Sequence, residues 1–268
     1  MKIIIIGNGF DLSLELKTSY KNFIKSDCFN LLLKKNNSLA LYLNEKQEIN
    51  NWVDIEKELT NYSMQTNEDK SKVRNDFKEL KNALIDYLNE AQEKEINQDS
   101  KAFEMIKNEI SDTDIIYNFN YTNTIFKIAQ ILGISNIESK HSFVHGSIEN
   151  KNIIFGVEDN ARINDNHIFL KKSSNLNFAE SNIIKILNNS DEKINLVIFG
   201  HSLGITDSSY FSSYFHSLTF KHNCSELKLY YFGEDAHDEM MSIIDKYTIH
   251  NLTNFKHYND LKFIDSSI

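Results

Sequence analysis

The sequence IIIIGNGFD, residues Ile3–Asp11, gives the strongest indication of the fold. Four consecutive isoleucines predict a strand that is buried on both faces, as in parallel sheets. The two glycines that follow end the strand and allow the backbone to approach a phosphate or a ribose closely, and a helix N-terminus beyond such a turn can face an anion. The third glycine of the dinucleotide-binding fingerprint is absent, so a plain strand and turn remains an alternative.

Further strand candidates alternate with helices from Asp114 onward. They are Asp114–Asn118, Ser142–Val144, Ile153–Phe155, Ile194–Phe199, Leu227–Phe232 and Leu261–Ile264. Such alternation predicts an α/β fold, a Rossmann-like and mostly parallel sheet with helices on both faces. The segment of about residues 30–110 shows helical periodicity without a strong strand signal. We therefore predict a single domain over residues 1–268 with an inserted helical region at about 30–110, and an irregular stretch from Leu12 to Thr18.

Composition argues against several classes of protein. The 268 residues have a formal net charge of −9, which argues against broad binding of nucleic acids. Cys28 and Cys224 provide neither a disulfide framework nor zinc-ligand spacing, and no metal is expected. No apolar run approaches membrane-spanning length, and the start lacks the layout of a signal peptide. We expect a cytoplasmic protein without membrane contact.

Polar residues follow four of the predicted strands directly. They lie at Gly7–Asp11, at Asn118–Thr122, at His145-Gly146 and at Gly200–Ser202, with Asp207 soon after. Because the carboxyl ends of parallel strands share one edge of the sheet, these groups are expected to converge on one crevice. Each group alone also has a structural explanation, since Asn and Asp side chains often close strands by bonding to nearby backbone.

Several motifs give the chain a resemblance to a known family. The block GNGFDLSLELKTSYKNF, Gly7–Phe23, resembles the start of the AbiH family, bacterial proteins of abortive infection against phage. Five later segments fit the same resemblance: WVDIE at Trp52–Glu56, NFNYT at Asn118–Thr122, VHG at Val144–Gly146, FGVED at Phe155–Asp159 and GHSL at Gly200–Leu203. The resemblance extends over most of the chain and implies an antiphage function.

The strand ends also resemble the site of the sirtuin-like NAD hydrolases. By this resemblance Asn120 positions the ribose or a water, and His145 acts as general base, a role suited to the ordinary histidine pKa of about 6.5. Cleavage of the N-glycosidic bond to nicotinamide builds positive charge on the ribose, which Asp11 would stabilise unless it bonds to a ribose hydroxyl instead. We predict that the nucleotide-binding residues are Gly7, Asn8, Gly9, Phe10, Asp11, Tyr121, Gly200, Ser202 and Asp207, although Asn8 and Phe10 stand where the wider pattern has small residues. Thr122 stands where the wider pattern has an acid.

An alternative reading is a serine esterase. GHSLG at Gly200–Gly204 fits the G-x-S-x-G nucleophile elbow and follows a predicted buried strand. Ser202 would be the nucleophile. An acid and a histidine would follow in the chain, for instance Asp235 or Asp238 with His250 or His257. This reading leaves the N-terminal turn and the Asn-rich segment at Asn118–Thr122 unexplained.

Two further alternatives remain. A sensor without catalysis would bind the nucleotide while the helical segment contacts a phage-derived or host protein, or a second copy of the chain, and the absence of an acid at Thr122 suits such a pocket. A nuclease would hold magnesium through Asp54 and Glu56, or through Glu158 and Asp159, although adjacent acids are usually solvated surface. Our hypothesis is an antiphage effector that binds NAD-type nucleotides and hydrolyses them.

Overall fold

The computed structural model of the chain describes residues 1–49, 55–175, 182–189, 193–223 and 225–267. The chain forms two compact units. The first unit comprises Met1–Glu15, Ile96–Val144 and Glu180–Ile268, and the second comprises Leu16–Glu95 and His145–Ala179. The chain therefore leaves the first unit and returns to it twice.

The first unit is built on a parallel sheet with six strands in the described residues. The strands are β1 (Lys2–Ile6), β2 (Ile115–Asn118), β3 (His141–Phe143), β4 (Asn195–Phe199), β5 (Glu226–Tyr231) and β6 (Asp260–Asp265). Their order across the sheet is β3-β2-β1-β4-β5-β6. Every neighbouring pair is parallel. The isoleucines of β1 occupy the centre of the sheet and are buried, as the apolar run predicts.

Helices surround this sheet and also form most of the second unit. They are α1 (Asn8–Ser13), α2 (Tyr20–Ile24), α3 (Asp27–Lys34), α4 (Ser38–Ile49), α5 (Ile55–Gln65), α6 (Lys70–Gln92), α7 (Lys101–Glu109), α8 (Thr124–Ile131), α9 (Ile183–Asn189), α10 (Ser208–Ser217), α11 (Gly233–Tyr247) and α12 (Leu252–Tyr258). Helices α2–α6 belong to the second unit, and the others belong to the first. The predicted α/β, Rossmann-like fold is confirmed.

Two local predictions are wrong. The stretch predicted as irregular after β1 is partly helical, because α1 begins at Asn8 and the Phe10 amide closes its first turn on the Gly7 carbonyl at 2.9 Å. Residues Ile153–Phe155 form no strand. They are buried in the second unit, where the Phe155 ring stacks on Phe77 of α6 with 5.5 Å between ring centroids. Packing against helices buries this apolar run without a sheet.

A buried cluster of charges lies in the second unit. The Lys172 side chain is 5% exposed, and its Nζ lies 3.1 Å from Glu56 Oε2 and 3.0 Å from Glu158 Oε1. Both carboxylates belong to segments that the sequence offered as magnesium ligands, but here they face an ammonium group. Asp54, the other acid of the first segment, lies outside the described residues.

The free energy of unfolding is expected to depend on pH through His141 of β3. Burial lowers the pKa of His141 to about 4, and its ring lies against Phe126 and Phe143, with centroids 4.8 and 4.5 Å away. Since the unfolded chain has the ordinary value of about 6.5, it binds the proton more readily than the folded chain. The stabilisation is therefore complete above about pH 6.5 and is lost as the pH falls towards 4.

We expect urea unfolding to show a loss of about 2 kcal/mol between pH 7.5 and pH 5 from this group. His141→Gln removes the titrating ring and is expected to remove that component of the pH dependence. His222→Gln, at an exposed histidine, serves as the control and should keep it. A His141→Gln protein as sensitive to pH as wild type would contradict the assignment.

Candidate functional site

The site lies at the carboxyl ends of the central strands β1 and β4. These two strands are neighbours, yet the chain places the other strands on opposite sides of them, β2 and β3 beside β1 and β5 and β6 beside β4. A crevice for a ligand is characteristic of such a switch in strand order. β1 ends at Gly7 and β4 at Gly200, and the two turns are bonded to each other, because the Gly9 amide donates to the Gly200 carbonyl at 2.9 Å.

Glycine is required in both turns because their backbones lie in close contact. A Cβ on Gly9 would lie 2.7 Å from the Gly200 Cα, and a Cβ on Gly7 would lie 2.7 Å from the Gly200 carbonyl oxygen. Gly200 itself has φ +67°, a conformation that favours glycine. The absence of side chains here thus allows two backbones to pack, and not only a ligand to approach.

The first turn of α1 combines one exposed residue with buried ones. Asn8 is exposed at the start of the helix. The amides of Gly9 and Phe10 already donate to the carbonyls of Gly200 and Gly7. The Phe10 ring is fully buried and lies edge-on to Phe199 of β4, with 5.9 Å between centroids. Phe10 is therefore a core residue, and its side chain packs the turn against β4.

Asp11 presents a buried carboxylate to the end of β2. Only 1% of the residue is exposed, and its Oδ2 accepts a hydrogen bond from Thr122 Oγ1 at 2.6 Å. The hydroxyl at position 122 thus donates to an acid on the neighbouring strand end. This bond satisfies one oxygen of the buried Asp11 side chain.

An asparagine pair orders the end of β2. Asn118 Oδ1 accepts from the Asn120 amide at 2.8 Å, and Asn118 Nδ2 donates to the Thr122 carbonyl at 3.0 Å. Asn120 Nδ2 donates to the Gly7 carbonyl at 3.0 Å and so joins β2 to the β1 turn. In the described part of the chain, Asn120 Oδ1 has no hydrogen bond. Tyr121, the next residue, is half-buried.

The loop after β4 supplies a second group of polar side chains. Ser202 is exposed, and its Oγ accepts from the Gly204 amide at 3.3 Å. His201 is buried, and its Nε2 lies 3.4 Å from Asp207 Oδ2. Tyr247 of α11 donates its hydroxyl to the Leu203 carbonyl at 2.7 Å. Sequence reasoning missed His201, although it stood inside a quoted motif, and Tyr247, for which the sequence holds no signal.

The geometry gives the serine esterase reading no support. No hydrogen bond joins Ser202 to a histidine in the described ranges, since its Oγ faces the Gly204 amide. Helix α10 begins only at Ser208, so Ser202 does not sit on a sharp turn between strand and helix. His250, one of the proposed partners, lies 2.6 Å from Asp245 on the surface.

His145 belongs to the second unit and is the first residue of its segment His145–Ala179. The preceding residue, Val144, donates its amide to the Asn118 carbonyl at the end of β2 at 2.8 Å. His145 is 5% exposed, and its carbonyl accepts from the Ile154 amide at 2.7 Å. The first unit therefore holds the predicted residues from β1, β2 and β4, and His145 is held by the backbone of the second unit.

Two features are absent from the described residues. No group of three or more His, Cys, Asp or Glu side chains there is arranged to hold a metal ion. None of the helices found there is both long enough and apolar enough to cross a lipid bilayer.

A comparison with protein-family models finds a match over most of the chain. A family model described as bacteriophage abortive infection AbiH matches residues 3–231, from the first isoleucine of β1 to the end of β5. Helices α11 and α12 and strand β6 follow the matched region. A comparison with curated proteins finds no match.

Proposed function

The chain belongs to the AbiH family of bacteriophage abortive infection proteins, and from this premise we propose that it binds an NAD-type nucleotide and hydrolyses its N-glycosidic bond. Loss of NAD from an infected cell would halt the metabolism on which phage replication depends. The antiphage role follows from the family, and the proposed cleavage of NAD is argued from the residues of the site.

One observation supports the nucleotide reading above the others. Polar groups from β1, β2 and β4 gather where the strand order β2-β1-β4 changes direction along the chain. Parallel α/β sheets of this strand order characteristically bind dinucleotides at that position. Asn8 and Ser202 are exposed polar residues in the two central turns, and Tyr121, in the segment after β2, is half-buried.

The proposed reaction is balanced by water. The C1′–N bond to nicotinamide breaks with its electron pair going to the ring nitrogen, and the ribose carbon develops positive charge. A water oxygen bonds to C1′ and releases a proton, so the products are nicotinamide, ADP-ribose and one proton. Catalysis requires a group that orients the water, a base that takes the proton and negative charge near the ribose.

The chain offers a residue for each of these requirements. Asn120 is fixed through Nδ2 on the Gly7 carbonyl, so that Oδ1 is the atom able to accept a hydrogen bond from water or ribose. Asp11, buried at the same strand ends, is proposed to supply the negative charge near the ribose, in an environment that screens charge poorly. His145 is proposed as the base on the resemblance to sirtuin-like hydrolases.

The test follows nicotinamide release from NAD⁺ by chromatography. We expect release by wild type, with a rate reduced at least tenfold in Asn120→Ala and about 100-fold in His145→Ala, since a general base contributes about 10²–10⁴-fold. Asn30→Ala and His222→Ala, at exposed residues, are the matched controls and should retain wild-type rates.

Thermal unfolding with and without NAD⁺ separates binding from turnover, because a ligand of the folded state raises the melting temperature. Stabilisation without release would favour the non-catalytic sensor, or an enzyme that awaits a phage-derived trigger. Absence of both release and stabilisation would overturn the nucleotide proposal.

A further inference from the structure

The loop between β4 and α10 is folded around an unusual backbone position. Leu203 has φ +57°, in the left-handed region that branched residues rarely adopt, and its side chain is fully buried. Such a conformation persists only where surrounding contacts hold it. The loop carries Ser202 and Asp207, two of the predicted nucleotide-binding residues.

His201 accepts a hydrogen bond from the Leu203 amide, and this bond determines which nitrogen of the imidazole ring carries the proton. Its Nδ1 accepts a hydrogen bond from the Leu203 amide at 2.9 Å, so Nδ1 carries no proton. The proton of the neutral ring is then on Nε2, which faces Asp207 Oδ2 at 3.4 Å. The ring is wedged against Phe119 and Phe211, with centroids 4.3 and 5.0 Å away, which prevents it from turning over.

This tautomer makes His201 unsuitable as a general base. The nitrogen that lacks a proton points at a backbone N–H, and the other nitrogen already carries a proton. His201 instead directs a partial positive charge towards Asp207, whose side chain is 17% exposed. The Nε2–H group therefore faces Asp207 as a donor, and the oxygens of Asp207 are able to accept hydrogen bonds from a ligand as well.

Tyr247 holds the carbonyl group of Leu203 by a hydrogen bond. Its hydroxyl donates to the Leu203 carbonyl at 2.7 Å and lies 3.3 Å from the Gly204 carbonyl. Burial, aided by the charge of Asp207, raises the pKa of Tyr247, so the hydroxyl remains a donor throughout the physiological range. Tyr247 stands in α11, after the region that the family model matches.

We propose that His201 and Tyr247 are positioning residues that hold the β4–α10 loop so that Asp207 accepts hydrogen bonds from the ribose hydroxyls of the bound nucleotide. A carboxylate repels the diphosphate of such a ligand, whereas the ribose hydroxyls are donors that match it. The assignment of ribose rests on the proposed function.

The first test is a double-mutant cycle on His201 and Asp207, read as the Kd for NAD⁺. Asp207→Asn is expected to raise Kd about tenfold, because a hydrogen bond to a charged acceptor is lost. His201→Asn keeps an acceptor for the Leu203 amide, as in an Asx-turn, but removes the Nε2–H, and is expected to raise Kd about fivefold. The double variant should bind like Asp207→Asn alone, whereas additive effects, or wild-type binding by His201→Asn, would overturn the proposal.

The second test removes only the Tyr247 hydroxyl. Tyr247→Phe is expected to raise the Kd for NAD⁺ about fivefold, because the loop loses the bond that holds the Leu203 carbonyl. Tyr258→Phe is the control, at a half-buried tyrosine of α12 whose hydroxyl has no hydrogen bond within the described ranges. Equal Kd values for the two variants would contradict the role of Tyr247.

Nitrogen NMR of the imidazole rings tests, without NAD⁺, whether His201 and Tyr247 position Asp207. We expect His201, assigned by its loss in His201→Asn, to be the Nε2–H tautomer with a signal that shifts in Asp207→Asn and in Tyr247→Phe. An Nδ1–H tautomer, or signals unchanged in both variants, would overturn the inference. If wild type does not bind NAD⁺, the proposed function and the ribose assignment fail together, and these signals still decide whether His201 and Tyr247 position Asp207.

Discussion

Gly200→Ala is expected to lower the free energy of unfolding by about 4 kcal/mol or more. The new Cβ would collide with the backbone nitrogen of Phe10 and with the backbone of Gly9, which no side-chain rotation relieves. The left-handed φ of +67° adds strain for alanine. We expect a melting temperature lower by about 10 °C, together with weaker NAD⁺ binding, because both central turns must separate.

Gly133→Ala provides a matched control for this prediction. Gly133 also has φ +67°, but within the described ranges no atom apart from its chain neighbours lies within 4 Å of the position that its Cβ would occupy. The two substitutions therefore introduce the same backbone strain and differ only in the collision. We expect a loss of about 1 kcal/mol for Gly133→Ala, and equal losses at the two positions would show that the turns do not pack as described.

Lys172→Met is expected to destabilise the second unit by about 3 kcal/mol. The ammonium group lies between Glu56 and Glu158, and removing it brings two partly buried carboxylates into mutual repulsion. Breaking a buried ion pair from one side costs more than the pair itself contributes, because the remaining charge stays desolvated. Denaturant unfolding, followed by a probe in the second unit, measures this loss.

Two further variants test the electrostatic origin of this loss. Adding Glu56→Gln and Glu158→Gln to Lys172→Met removes the uncompensated charges and is expected to restore part of the stability. Lys101→Met breaks an exposed pair with Glu104 and is expected to change the free energy of unfolding by less than about 0.5 kcal/mol. A loss at Lys172 that the two glutamines do not reduce would point to packing of the lysine stem instead.

Local sequence patterns predicted the centre of the sheet because each pattern has one physical solution. The isoleucine run of β1 and the apolar run of β4 must be buried, and the glycines that follow must form turns. The motif at the end of β2 was assigned to the site because it follows a predicted parallel strand, although Asn side chains also close strands by bonding to nearby backbone. The structure shows such bonds at Asn118 and Asn120.

Other features depended on contacts between distant parts of the chain. Tyr247 reaches Leu203 across 44 positions, and no local pattern marks a tyrosine near a helix end as the support of a loop. The role of Gly200 required knowing that β4 lies beside β1, which the order of strands in the sequence does not reveal. Ile153–Phe155 resembled a strand because burial in a sheet and burial under helices select the same residues.

The central position of β1 has a consequence for synthesis on the ribosome. Lys2 at its start bonds to Asp114, 112 positions later, and Met1 bonds to Lys193, 192 positions later. At about 5–20 residues per second, a nascent isoleucine segment waits on the order of 10 s for β2 and up to about 40 s for β4. Until β2 is made this apolar segment has no strand partner, and until β4 is made one of its edges stays unpaired, so we expect it to be a preferred binding site for chaperones during translation.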